Sequence, residues 1–516
     1  MKRVLLLSIL SGILYAAAQP PWAIGWLAFF ALVPLLGAAS TRSVGLRLIA
    51  GAVAGTTAGI GCVGVSVYEA ARLYFDQPAW TSALSAVVVP LVYGAPYFAA
   101  FALAAGRSCR NATGILGPAL VVPAAWVATE YARANVGHGT PWCMLAHSQV
   151  DTPELIQTAA IGGAFAVSFV IALVNLAVFS LLESIRAALP RPVAIGRALV
   201  ATIASIAAIL HGRSELERWS KPPGPSLPVA IVQPNVPTEW RGAIARVPEI
   251  LDRLARLTER ASASSPRLVV WPENAVGFVA SANELPLRAA AAALPPGALL
   301  LLGAPRSALD GDGHATFRNS AFLVDRRGQV LASYDKRRLT PFAEAWPALL
   351  PRPPGTRDAY LPGDRVELLD VDGVRTGVLI CSEAIYPDLA RDLVGEGAEL
   401  LVNISNDAWF GASPAPTHHL DAARFRAVEL RRFLVRSTNT GRSVVVAPSG
   451  ELIAEIPPGE PGVAAADVVP LAEVTPYARF GDLFAWLCIA VVAIDSSRGM
   501  LRRSRRSGHA PGQLAG

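Results

Sequence analysis

Eight apolar runs decide what this chain of 516 residues can fold into. They lie at about 4–18, 22–39, 44–67, 82–105, 112–129, 158–182, 193–211 and 478–494. A bilayer core takes roughly 20 helical residues, with about 17 as the lower limit. Run 4–18 is short, and run 478–494 is interrupted by Asp482. Gly and Pro inside several runs are compatible with membrane helices. Charged residues are 16% of the chain and hydrophobic ones 53%, which excludes intrinsic disorder and disfavours an ordinary soluble enzyme. The expected architecture is a membrane helical bundle of about eight spans carrying a sizeable water-soluble part.

Basic residues then orient the spans. Lys2 and Arg3 precede the first run; Arg42 and Arg47, Arg107 and Arg110, and Arg186 and Arg191 occupy alternate loops. Arg498, Arg502, Arg503, Arg505 and Arg506 follow the last run, and the opposite loops hold little beyond Arg72 and Arg133. The positive-inside rule puts both termini in the cytoplasm and the long segment 212–477 outside. Residues 1–19 also have the form of a secretory signal peptide, but the further apolar runs favour reading them as a retained span. The resulting division is a seven-span membrane domain at 1–211 and a linker at 212–226. An outer domain follows at 227–477, a last span at 478–497, and a basic cytoplasmic tail, read as disordered, at 498–516. The location is a cytoplasmic (inner) membrane, with the outer domain on its periplasmic or extracytoplasmic side. The net charge of +6 belongs to this topology signal and implies no nucleic-acid partner.

Past residue 211 the composition changes. Short β-rich runs at 227–232, 267–271, 298–303, 321–325, 330–334, 376–381 and 400–404 alternate with helical stretches at 248–263, 285–293, 384–394 and 418–432. That alternation predicts a layered α/β domain of about 250 residues. The five cysteines form no CxxC pair or disulfide framework, and no phosphate-binding glycine loop is present. No metal or cofactor is expected.

Three positions in this segment suit covalent acyl chemistry. Cys381 ends an apolar strand and precedes a helical stretch, where N-terminal amides favour a thiolate. Glu273 follows a strand in Trp271-Pro272-Glu273-Asn274 and is a candidate general base. Lys336, one of three lysines in the chain, ends another strand and is a candidate oxyanion partner. Taken singly, each also has an ordinary reading as a core cysteine, a loop carboxylate or a solvated lysine. His418 and His419 are adjacent and point in different directions on a helix, so they make a poor metal pair.

Together with Pro341-Phe342-Ala343-Glu344, Cys381-Ser382-Glu383 and Asn406-Asp407-Ala408-Trp409-Phe410-Gly411, these residues resemble the carbon–nitrogen hydrolase (nitrilase) superfamily. Gly139-Thr140-Pro141-Trp142, Gly162-Gly163 and Thr475-Pro476-Tyr477-Ala478-Arg479-Phe480-Gly481, with the layout of the spans, are similar to its apolipoprotein N-acyltransferase branch. The resemblance implies a nitrilase-like α-β-β-α sandwich with Cys381 as nucleophile, Glu273 as base and Lys336 at the tetrahedral intermediate. It implies that Glu344 and Glu383 orient Lys336 and the substrate amine, and that Trp240 and Trp409 belong to a lipid-facing pocket. The implied donor is a phospholipid, and the implied acceptor is the α-amine of a diacylated apolipoprotein, reached through a Cys thioester. The alternatives are a membrane-tethered amidase or nitrilase-type hydrolase, and a scaffold with an inactive domain. The sequence departs from the family pattern at Ser382, where an aromatic is usual, at Ala343, where glycine is usual, and at Thr140, where phenylalanine is common. Ser382 puts acyl preference in question more than the chemistry.

Overall fold

The computed structural model describes residues 1–109, 114–237, 240, 244–276, 284–311, 313–347, 351–352, 358 and 360–507. Every one of the eight apolar runs is helical within the described residues, but only four of them, by length and composition alone, suffice to cross a membrane. These four are Val44–Leu73, Ala79–Ser108, Ala159–Ile185 and Arg191–Trp219. The first run forms the helix Lys2–Ala17. The second is broken into the short helices Ala28–Ala31 and Val33–Ala39, and the fifth forms Leu116–Asn135. Two boundaries differ from the sequence reading. The helix Arg191–Trp219 runs through residue 211 into the expected linker. The last helix, Leu483–Ser507, starts after the turn at Gly481 and continues into the expected tail, whose residues 508–516 lie outside the described ones. Arg110 and residues 348–350 and 353–354 of a Pro-rich loop also lie outside them.

Among the described residues, the segment after 226 carries twelve strands: β1 (Leu227–Gln233), β2 (Leu268–Val270), β3 (Leu299–Leu309), β4 (Ala315–Val324), β5 (Val330–Asp335), β6 (Leu368–Val371), β7 (Val374–Ile380), β8 (Leu400–Ser405), β9 (Leu434–Thr438), β10 (Ser443–Val446), β11 (Leu452–Ile456) and β12 (Gly462–Val468). They form two six-stranded sheets, ordered β12-β1-β2-β3-β4-β5 and β11-β10-β9-β8-β7-β6. β1, β2 and β3 run parallel, as do β7, β8 and β9.

Strand alternation explains the layers, since successive side chains leave opposite faces. Leu268 and Val270 meet Val378, Ile380 and Val402 between the sheets, whereas Val269 and Trp271 pack outward under the helices Val247–Ala261 and Glu284–Ala291. On the other side Leu379, Leu401 and Leu434 pack against the helices Pro387–Gly395 and Ala415–Leu430. This is an α-β-β-α sandwich. Its parallel strands end together, and the residues following β2, β7 and β8 converge there, as ligand sites do at the carboxyl ends of parallel strands.

The helix Ala415–Leu430 belongs to both halves of the molecule. Leu420, Ala423 and Leu430 pack on the sheet, while Phe425 and Val428 join the core of the membrane bundle. Its buried Glu429 accepts from the backbone N–H of Ala164 at 2.9 Å. That N–H follows a break in the helix Ala159–Ile185 at Gly162 and Gly163, the latter at φ +68°. A side chain at Gly163 would also lie 2.7 Å from the Tyr477 ring, so only glycine fits. Arg426, also buried, pairs with Glu429 at 2.8 Å and donates to the Ile385 carbonyl at 3.2 Å. Removing one partner of a buried pair strands the other. Glu429→Ala is therefore expected to lose about 3–5 kcal/mol of stability, read as a lower unfolding temperature in detergent. Glu429→Gln, which keeps an acceptor for Ala164, should lose less. An unchanged unfolding temperature in Glu429→Ala would refute this role.

Candidate active site

Cys381 directly follows β7 and opens the short 3-10 turn Cys381–Ile385. Its φ of +53° is unusual for a non-glycine residue and holds the thiol on a tight turn between strand and helix. Two donors pin its carbonyl: His419 Nε2 at 2.9 Å and Asn403 Nδ2 at 3.3 Å. His418, the neighbour of His419, points the other way, to the Cys62 carbonyl and the Cys143 thiol of the membrane domain.

Glu273 follows β2 through Trp271-Pro272. Its Oε1 accepts from Asn319 Nδ2 at 2.7 Å and its Oε2 from the Asn406 N–H at 3.1 Å. Its charge also acts on the Cys381 thiol across the site. Lys336 follows β5 and is 1% exposed. Its ammonium sits 2.7 Å from Glu344 Oε2, 3.2 Å from Thr340 Oγ1 and 3.8 Å from Glu273 Oε1. The last distance is too long for a full hydrogen bond, so one N–H remains for a substrate oxygen. Asn319 Nδ2 also donates to Glu344 Oε1 at 2.7 Å and so spans both carboxylates. Glu273, Lys336, Cys381 and Glu344 thus form one buried cluster.

Burial raises the Glu273 carboxyl above its ordinary value, helped by Glu344 and opposed by Lys336. Burial works against ionised Glu344 too, but its direct contact with Lys336 holds it below the ordinary value. Burial alone would lower Lys336, yet Glu344, Cys381 and Glu273 raise it. The resting cluster is an ammonium paired to Glu344 beside a Glu273 poised to accept a proton. Cys381 departs from the sequence expectation. Burial, then Glu273, push its thiol well above the ordinary value despite Lys336, so the amides of a one-turn helix do not hold a resting thiolate.

Glu383 is fully buried. Its carboxylate accepts from the backbone N–H groups of Arg337 (2.7 Å), Arg338 (3.0 Å) and Ile380 (2.8 Å), and from the Tyr334 hydroxyl (3.0 Å). It ties the segment after Lys336 to the Cys381 turn and, being enclosed, does not face a substrate amine. The Trp409 ring lies 4.7 Å from that of Tyr74 at a tilt of 51°, just past the C-terminal end of the apolar helix Val44–Leu73. Trp240 packs on the outer cluster under β1, with the Arg246 and Arg253 guanidinium groups 4.9 and 5.6 Å from its ring. Ser382 at 3.4 Å from Thr340 Oγ1 continues the hydrogen-bond chain from Lys336. Sequence reasoning missed Asn319, Thr340, Ser405 and the role of His419. Ser405 and Asp407 stand in or beside the recognised Asn406–Gly411 motif, but Asn319 lies within β4 with no motif around it.

The carbon–nitrogen hydrolase family model matches residues 228–479, and the apolipoprotein N-acyltransferase N-terminal domain model matches residues 11–177. Apolipoprotein N-acyltransferase of Geobacter metallireducens is 32% identical over 98% of this chain and 96% of its own length. That of Allorhizobium ampelinum is 31% identical over 87% and 86%. Among solved structures, an amidase from Nesterenkonia sp. is similar at 24% identity and a TM-score of 0.38, covering 49% of this chain and 93% of its own.

Lys336→Met would leave two buried carboxylates without their cation. The expected loss is about 3–5 kcal/mol, larger at pH 8 than at pH 5, because protonation of Glu273 and Glu344 relieves it. Thermal unfolding across pH checks this; a pH-independent loss would contradict the ion-pair account.

Proposed function

The chain belongs to the apolipoprotein N-acyltransferase family, and we propose on that premise that Cys381 carries an acyl chain from a phospholipid to a lipoprotein's N-terminal amine. It is an acyltransferase of lipoproteins, built from a membrane domain and a carbon–nitrogen hydrolase domain. The observation that carries the residue-level reading is the buried cluster of Cys381, Glu273 and Lys336 at the joined strand ends.

The cluster suits a two-step transfer. Sulfur attacks the ester carbonyl of the phospholipid while Glu273 takes the thiol proton, and the free N–H of Lys336 meets the developing oxyanion. When the tetrahedral intermediate collapses, the C–O bond breaks, and Glu273 returns the proton to the departing lysophospholipid. A thioester remains. The α-amine of a diacylglyceryl-cysteine then attacks it, Glu273 accepts the amine proton, and the C–S bond breaks as Glu273 passes that proton to sulfur, giving an amide and the free thiol. Glu344 keeps Lys336 charged, and Glu383 holds the Lys336 and Cys381 segments in register. Trp409 and Tyr74 offer an aromatic wall on the membrane side for lipid chains; Trp240 would join it only from the far side of the sheet.

The same reading places the sandwich outside a bacterial inner membrane, with up to eight spans and both termini in the cytoplasm. Two contacts support it. Tyr74 at one helix end meets Trp409, and Ala164 near the start of another meets Glu429, so these ends face the sandwich. Arg42, Arg47 and Arg186 occupy the opposite ends of the same helices. Spans that fix the site at the surface hold both lipid substrates near the thiol.

Transfer to a synthetic diacylated lipopeptide, followed by mass spectrometry across pH, tests the assignment. The rate should fall as pH drops through the raised Glu273 value, above the ordinary carboxylate range near about 4.3. Glu273→Gln should lose about 10²- to 10⁴-fold. Full activity in Glu273→Gln would exclude it as the base.

A further inference from the structure

We propose that Ser405 is a catalytic residue whose hydroxyl holds Asp407 in the resting site and turns to the Cys381 sulfur whenever that sulfur is anionic. β7 and β8 run parallel with Ile380 beside Ile404, so Cys381 and Ser405 follow at equivalent places on adjacent strands. Ser405 Oγ lies 3.5 Å from Cys381 Sγ and 2.7 Å from Asp407 Oδ1, and it is fully buried. A hydroxyl has one proton to donate. With a neutral thiol, the carboxylate is the better acceptor. With a thiolate, the sulfur competes, and a rotation of the hydroxyl about the Ser405 Cβ–Oγ bond redirects the proton without moving any heavy atom.

Asp407 tolerates that loss because its charged donor remains: Arg436 Nη2 lies 2.7 Å from Oδ2. His419 donates through Nε2 to the Cys381 carbonyl, and its Nδ1 accepts from the same guanidinium at 3.2 Å. Burial disfavours the Asp407 charge, but Arg436 holds Asp407 well below the ordinary carboxylate range, so it stays an anion throughout. Meanwhile His419 and Asn403 keep the Cys381 carbonyl fixed. The charged and titratable groups facing the sulfur are Glu273 after β2, Lys336 after β5 with its partner Glu344, and Asp407 after β8. His419 on Ala415–Leu430 and Arg436 on β9 stand behind Asp407. Lys336 is the group suited to the substrate oxygen. Ser405 is the neutral donor suited to the sulfur, and it also stands between that sulfur and the Asp407 charge. No covalent bond changes in its turn: the thiol proton still goes to Glu273. The same donor would assist when the amine expels sulfur from the thioester.

The inference rests on Cys381 as nucleophile. The test is pre-steady-state acyl-enzyme formation by the full chain in detergent with a phospholipid of defined acyl chain, followed by intact mass across pH. Ser405→Ala should be slower by about 10- to 100-fold, with the rise of rate with pH moved upward. Ser405→Thr, which keeps the hydroxyl, should stay near the wild-type profile. It decides alone if the alanine variant does not fold. A uniform slowing of Ser405→Ala at an unmoved pH profile, or a folded Ser405→Thr with a shifted one, would overturn the proposal and leave Cys381 as nucleophile. An adduct persisting in Cys381→Ala would instead overturn the thioester reading and Ser405 with it.

Discussion

A single buried ammonium organises the catalytic half of this molecule. Lys336 is 1% exposed, and Glu344 and Glu273 lie 2.7 and 3.8 Å from it. Two carboxylates that close could not both be ionised without it. Its unequal distances sort them: the direct contact holds the Glu344 carboxyl below its ordinary value, while burial leaves that of Glu273 above it. Asn319 reinforces the arrangement by donating to both. A buried pair of this kind is weak evidence for stability. Its value here is positional, because it holds a carboxylate and a cation whose charges both act on the Cys381 thiol. Glu383 serves the same end from beneath, fastening the backbone after Lys336 to the turn that carries Cys381.

The membrane half matters because it shares structure with the site. The helix Ala415–Leu430 sends His419 to the Cys381 carbonyl and His418 to the Cys62 carbonyl of the membrane bundle. Further along, Arg426 and Glu429 link the Cys381 turn, through Ile385, to the break in a membrane helix at Gly163. Cys381 and the membrane domain are thus fixed to the same helix. The proposed transfer between two membrane-anchored lipids would gain from that rigidity, since both would meet one sulfur at one depth.

Much of this was legible in the sequence, for identifiable reasons. Strands such as β1, β7 and β8 are short, nearly continuous apolar runs, as expected of parallel strands buried on both faces. Glu273 and Cys381 each follow such a run, whereas Lys336 follows the half-exposed antiparallel edge strand β5. β6 and β9 to β12 were not foreseen. β9 carries the buried Arg436 at its centre, and the charge it pairs with, Asp407, lies 29 residues away. Asn319 was hidden likewise, because its partners come from segments 46 and 25 residues distant. Glu383 was recognised beside the site, but whether it faced substrate or backbone depended on where the Arg337 and Arg338 N–H groups fell. The span count met a different limit. Hydropathy finds apolar runs, whereas the broken helices at 22–39 and the 16-residue Lys2–Ala17 show that a run need not be one long rod.

The central claim is that one sulfur carries the acyl group between two lipids. Its most direct measurement is the mass of the Cys381 peptide after the protein meets a defined phospholipid with no acceptor present. The account predicts one acyl mass on Cys381, released by hydroxylamine and discharged when a diacylated lipopeptide is added. Acylated lipopeptide formed while Cys381 remains unmodified, or equally well by Cys381→Ala, would contradict it.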